Sequence, residues 1–254
     1  MPPLSWAVAS APPPLPPAEI QVWRIDLDQP APVEEQLAAL LTPDEQARAA
    51  RFASSSLRRR YQVARGAARW LLGNYLGEKP ADLRLGYGPH GKPFVQDATG
   101  NPARLCFNLS HTQDMALLAV AWEAAIGVDV EYTRRAAPEL ESIARRFFAA
   151  GEYQALVNLP AAERWAAFLR GWTRKEAFIK AVGDGLSHPL AAFEVTLAGE
   201  ESAEILSING DSAEAAHWTL AHLDPAPDYV GALAIRQRHW PIRAWRLPAV
   251  PTEG

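Results

Sequence analysis

The sequence predicts an α+β fold, with helices clustered between antiparallel strands. Two patterns point there. Apolar runs bounded by turn residues recur at 19–28, 105–112, 115–122, 125–131, 193–199, 217–223 and 229–236, which is how strands read. Between them lie helical patterns, the strongest at 61–76 and 161–182. A chain of 254 residues with 48% hydrophobic and 21% charged residues has an ordinary globular balance. That excludes a wholly disordered chain and allows one large domain or two smaller ones. The net charge of −4 argues against broad nucleic-acid binding.

Residues 1–18 form a Pro-rich arm, expected to make neither helix nor paired strand. EIQVWRIDLD (19–28) reads as a strand, and a helix is expected from about Val33 to Leu41. Thr42, Pro43 and Glu45 then spell a helix start with a capping box. Ser54 offers another cap before the helical stretch 61–76, and 85–95 is turn-rich. LCFNLSHT (105–112), MALLAVAW (115–122) and AIGVDVE (125–131) read as buried strands. A polar helix is expected over 138–157 and a long one over 161–182 after Pro160. FEVTLAG (193–199), HWTLAHL (217–223) and YVGALAIR (229–236) read as one antiparallel set, and the tail 247–254 as loose.

One cysteine, Cys106, cannot form an internal disulfide, so a reducing compartment is expected. No run approaches the ~18 to 20 apolar residues of a membrane span. The N-terminus lacks the charged and apolar regions of a signal peptide. A cytoplasmic location is the expectation.

Four features carry chemistry. Seven arginines (48, 51, 58, 59, 60, 65, 69) fall between positions 48 and 69 without an acid among them. A solvated helix face accounts for such a run about as well as an anion site does. In GVDVE (127–131), Asp129 and Glu131 share one strand face and repel unless a cation or base neutralises them, and a strand emerging into solvent at Glu131 explains them about as well as a metal site. In helix 161–182, Glu176 falls inside an apolar stripe of Trp165, Phe168, Leu169, Trp172 and Ile179, with Lys180 four residues on. A simple Glu–Lys helix pair explains that spacing but not a carboxylate among tryptophans. Three carboxylates with no His or Cys companion are a hard-oxygen set, which suits Mg²⁺ better than zinc. Ser110 and His111 end a strand without a nucleophile-elbow pattern, and Lys92 sits in a tight turn with no P-loop around it.

GKPF (91–94), FNLSHT (107–112), GVDVE (127–131) and WTRKEAFIKA (172–181), in that order, resemble the 4′-phosphopantetheinyl transferase superfamily in its double-length type. RRFFAAGEY (145–153) resembles the segment between its two metal motifs. The resemblance implies a pseudo-dimer of two similar halves, each a small antiparallel sheet with a long helix, divided as 19–122 and 123–246 and acting as a monomer. It implies transfer of 4′-phosphopantetheine from coenzyme A to a serine of an apo carrier protein, releasing adenosine 3′,5′-bisphosphate. By motif, Asp129, Glu131 and Glu176 match magnesium ligands, with Glu176 also the base toward the serine. Lys180 matches the pyrophosphate contact, Ser110 and His111 a phosphate-contacting pair, and Gly91, Lys92 and Pro93 the segment near adenine and the 3′-phosphate. Arg48 matches a basic 3′-phosphate position, whereas Glu45 stands where some members carry a further lysine. Arg145, Arg146, Phe147 and Phe148 are candidates by position for meeting a carrier protein, and a buried Phe pair with solvated arginines explains them equally well. A non-catalytic binder of coenzyme A or carrier proteins is the alternative, although such a copy would typically lack one of the acids.

Overall fold

Strands apolar on both faces organise the chain. The computed structural model describes residues 4–134, 139–185, 188–199 and 203–248. The first half runs β1 (Trp6–Val8), β2 (Ile20–Asp26), α1 (Ala31–Ala39), α2 (Pro43–Ala50), α3 (Ser55–Leu76), β3 (Leu85–Tyr87), β4 (Pro93–Val95), β5 (Leu105–Thr112) and β6 (Met115–Trp122). The second runs β7 (Ile126–Tyr132), α4 (Leu140–Phe147), α5 (Ala150–Val157), α6 (Ala161–Val182), β8 (Phe193–Val195), β9 (Ile205–Ile208), α7 (Ser212–Ala215), β10 (Thr219–Leu223), β11 (Tyr229–Ile235) and β12 (Ile242–Leu247).

In β6, Ala116, Leu118 and Val120 pack with Val63, Ala67 and Leu71 of α3, whereas Met115, Leu117 and Ala119 pack with Val128, Val130 and Leu233 of the second half. A strand buried on both sides is apolar throughout, and MALLAVAW is written that way. The second sheet turns its other face, through Ala232 and Ala234, to Ala177 and Phe178 of α6. The result is four layers: α3, first sheet, second sheet, α6. Both long helices close on a left-handed glycine, Gly77 and Gly183.

The halves repeat one plan. Each runs strand, long helix, strand, strand, and the sheet orders β2-β6-β5 and β7-β11-β10 correspond strand for strand. No sequence repeat announces this, because layer burial constrains polarity rather than identity.

Several elements depart from expectation. The arm does contain a paired strand: Trp6–Val8 is free of proline, and β1 lies parallel to β12. β12 falls within the sequence of the second half yet pairs in parallel with β2 of the first. The stretch 138–157 is two helices. Phe148 is extended, and the Glu152 carboxylate accepts the Ala149 N–H at 2.7 Å to open α5; residue 138 lies outside the described residues. β8 does not join β10 and β11 but forms its own hairpin with β9. The tail beyond residue 248 lies outside the described residues.

Candidate active site

β7 reaches α6 through a glycine. A Cβ on Gly127 would lie 2.1 Å from the Ala177 carbonyl oxygen and 2.3 Å from the Ala181 nitrogen, so only glycine permits this approach. The face of β7 that carries Gly127, Asp129 and Glu131 is thereby brought against the helix that carries Glu176 and Lys180. β5 approaches β7 from the other half, and the Asn108 side-chain oxygen accepts the Val128 N–H at 2.9 Å. This bond joins the edges of the two sheets.

At that seam three predicted residues meet. Lys180 Nζ lies 2.5 Å from Asp129 Oδ1 and donates to Ser110 Oγ at 2.9 Å, and Ser110 Oγ donates to Asp129 Oδ1 at 2.9 Å. Asp129 is 4% exposed, and its Oδ2 is buried without a hydrogen-bond partner among the described residues. Such an orphaned anionic oxygen is costly unless a ligand completes it. Half-buried Glu176 is close enough to sense Asp129. Burial pushes its carboxyl pKa up, the Asp129 charge pushes it further, and Lys180 opposes both. His111, next to Ser110 and open to solvent, is pushed down by the surrounding protein and by Lys180.

The donor set fits magnesium. Mg²⁺ is commonly held by one or two carboxylates and completes its octahedron with water and substrate phosphates. Asp129 with its free oxygen and Glu176 with its raised pKa are two carboxylates that a cation would relieve. Among the described residues no group of three or more His, Cys, Asp or Glu side chains is gathered closely enough to hold a metal ion, so the structure does not bring Asp129, Glu131 and Glu176 together as a three-carboxylate set.

The arginine run divides: Arg65 and Arg69 are buried, Arg60 is half-buried, and Arg48, Arg51, Arg58 and Arg59 are exposed. Arg65 Nε and Arg69 Nε each donate at 2.6 Å to a separate oxygen of Glu45, which is 7% exposed. Arg65 also donates to the Tyr87 hydroxyl, and Arg69 to the carbonyls of Pro80 and Leu83. Arg60 pairs with Asp114 and Arg59 with Glu34. Neither sequence reading of this helix face, solvated or anion-binding, describes Arg65 and Arg69, which are spent on a buried acid. Glu45 also completes the capping box with Thr42. Burial alone would raise Glu45, but the Arg69 hydrogen bond, the Thr42 N–H and the two guanidinium charges hold it below its usual value. Arg48 and Arg51 remain exposed and line an open hollow of about 690 Å³ with Phe52, Tyr61 and Tyr87. Arg48 stands over the Tyr61 ring, 5.7 Å from its centre.

The hairpin β3–β4 links this hollow to the seam. Tyr87 lies at the hollow, and Gly91 turns the chain with a positive φ of 81° before Pro93 begins β4. Between them Lys92 donates at 3.0 Å to both the Ile126 and Ala181 carbonyls, and burial lowers its ammonium pKa to about 8.

Sequence reasoning passed over Arg174 and Lys175, both fully buried beside Glu176. Lys175 Nζ is 2.8 Å from Glu152 Oε2 and donates to the Leu190 and Phe193 carbonyls. Arg174 donates to the Thr196 and Gly199 carbonyls. These cations hold α5 and the segment before and after β8 against α6. The signal was available: they lie between apolar residues in a helix buried on nearly all sides, where a cation requires partners.

Comparison with known proteins gives the family. The family model described as the 4′-phosphopantetheinyl transferase superfamily matches residues 125–234, and one described as 4′-phosphopantetheinyl transferase, N-terminal, matches residues 29–123. The 4′-phosphopantetheinyl transferase HetI of Nostoc sp. is 40% identical over 227 residues, covering 89% of this chain and 92% of that protein. The transferase psf-1 of Bacillus pumilus is 38% identical over 137 residues, 54% of each chain. The transferase Sfp of Bacillus subtilis is 29% identical over 180 residues, 70% of this chain and 77% of that one. The matches thus define a transferase, on a fold whose two halves repeat one plan. The chain belongs to the 4′-phosphopantetheinyl transferase superfamily.

Proposed function

We propose that the chain moves 4′-phosphopantetheine from coenzyme A to a serine hydroxyl of an apo carrier protein, with Mg²⁺ bound at Asp129 and Glu176 and with Glu131 beside them. The observation that carries this reading is the half-satisfied Asp129: one oxygen holds Lys180 and Ser110, and the other is buried with no hydrogen-bond partner among the described residues. When bound, the metal supplies positive charge to the pyrophosphate oxygens.

The chain's own residues do the rest. Lys180 adds a fixed cation for the pyrophosphate beside the Ser110 hydroxyl, and His111 stands next to them at the solvent side. Glu176 accepts the serine proton, since a hydroxyl is a weak nucleophile without an adjacent base. The serine oxygen bonds to the phosphorus that carries the pantetheine arm. The bridging P–O bond breaks, and adenosine 3′,5′-bisphosphate leaves with the electron pair. Arg48, in its exposed hollow, and the backbone of the Gly91–Pro93 turn receive the nucleotide end.

The same reading makes residues 19–122 and 123–246 the two working halves, with β12 lent back to the first. The apolar face that either half would offer a second subunit is already filled by the other half, through Val22, Leu117, Val128 and Leu233. We therefore expect a monomer. A cytoplasmic location accords with the lone Cys106, and among the described residues no helix is long and apolar enough to cross a membrane.

The direct test incubates apo carrier proteins of several pathways with the chain, coenzyme A and Mg²⁺. A mass gain of one phosphopantetheine arm is expected on at least one. An unmodified mass on every carrier would end the proposal.

A further inference from the structure

Lys92 belongs to the first half, yet both of its acceptors belong to the second. Ile126, whose carbonyl takes one bond, opens β7 three residues before Asp129. Ala181, whose carbonyl takes the other, follows Lys180 directly in the last turn of α6. The last four carbonyls of a helix lack partners within it, so Ala181 presents an acceptor that needs a donor from outside. The lysine stem runs beside Gly183, where a Cβ would stand 3.5 Å from Lys92 Cδ, and the hairpin tip rests on the same exit through His90 and Gly185. Among the described residues no carboxylate pairs with Lys92. Its ammonium closes the end of the β7–α6 seam that Gly127 draws tight.

We propose that Lys92 is a positioning residue: from the opposite half it ties the start of β7 to the end of α6, and so fixes Asp129 relative to Glu176 and Lys180. The inference builds on the transfer reaction proposed above but assigns the side chain a different duty from phosphate binding. An ammonium committed to two carbonyls has left the coenzyme's 3′-phosphate to exposed cations such as Arg48.

The two duties separate experimentally. Lys92→Met is assayed with coenzyme A and with 3′-dephospho-coenzyme A. A positioning role lowers kcat by roughly tenfold to a hundredfold with either substrate, because small misplacements of catalytic groups are costly. The preference between the two substrates stays that of the wild type. Amides at Gly127 and at Val182–Gly183 exchange faster with deuterium in the variant. A loss confined to coenzyme A, erasing the preference, would place the ammonium on the 3′-phosphate and overturn the inference. Unchanged kcat would overturn it too.

If Lys92→Met does not fold, acylation of wild-type lysines decides. Lys92 should label far more slowly than exposed Lys79, equally with and without coenzyme A. Rapid labelling that coenzyme A blocks would refute the staple. A wild type inert toward every carrier would remove the transfer reading, while exchange and labelling would still judge the Lys92 contacts.

Discussion

Each half buries a carboxylate beside its long helix, and the two are finished differently. Glu45 has both oxygens occupied, by Arg65, by Arg69 and by the Thr42 N–H. Asp129 has one oxygen occupied by Lys180 and Ser110 and the other without a partner among the described residues. A third acid, Glu152, follows the closed pattern: one oxygen takes Lys175 and the Ala149 N–H, the other the Val195 N–H. A closed network fixes structure. A network left open at one buried oxygen, with a second acid held nearby, has room for a ligand. Charge density does not distinguish the two, since the arginine-rich half holds one closed network and the half with the open network holds another at Glu152.

The largest effect should come from the open side. Glu176→Gln is expected to lower kcat by about 10²–10⁴, the usual worth of a general base. Coenzyme A binding and folding should persist, because the Asp129 repulsion that the change removes is larger than the Lys180 attraction lost with it. Steady-state kinetics beside a coenzyme A titration would check this. Full turnover in the variant would make the open network an accident of packing.

The closed side should answer in stability instead. Glu45→Ala strands Arg65 and Arg69, of which Arg69 is 1% exposed. Breaking a buried pair in this way costs about 3–5 kcal/mol. Denaturant melts should show that loss, while the folded fraction keeps near-normal kcat. Normal stability with weakened coenzyme A binding would instead make Glu45 part of the ligand site.

Proton linkage sharpens the same contrast by a smaller amount. The folded pKa of Glu45 lies below its usual 4.5, so its contribution is fully present above that pH and is lost as pH falls through the folded value. Wild type and Glu45→Gln should therefore converge in stability under acid and differ most near neutrality. A gap that stays constant from neutral to acid pH would show that the carboxylate is not held by its guanidinium partners.

How much of this was legible differs by element. The bounds of α6 were written in Pro160 and Gly183, and those of β5 and β6 in unbroken apolar runs, because local sequence decides caps and double burial. β1, β9 and β12 were illegible. They have three to six residues, and β1 pairs with a strand more than 200 positions away, which no periodicity records. Asp129, Ser110 and Lys180 were found through motif order. Their contact depends on Gly127 and Asn108, whose roles exist only between elements. The arginine run shows the same limit from the other side: its charge was plain, but its partner Glu45 sits 20 and 24 residues from Arg65 and Arg69. Lys175 and Lys180 look alike in WTRKEAFIKA. Five residues at 100° each set them about 140° apart, one toward Glu152 and the other toward Asp129.

The smallest predicted effect concerns what remains exposed of the arginine run. Arg48 rests over Tyr61 at the rim of the hollow and has no acid partner among the described residues. Its removal should leave folding nearly untouched, since an exposed cation contributes only about 0.5–1 kcal/mol through an aromatic ring. If the hollow receives the nucleotide end of coenzyme A, Arg48→Ala should raise KM for coenzyme A severalfold, about 1 kcal/mol of uniform binding, with kcat unchanged. Added salt should narrow the difference between variant and wild type, because screening weakens an exposed cation–phosphate contact. An identical KM at low salt would move the nucleotide away from this hollow and leave the arginine as a solvated charge, like Arg58 farther along the run.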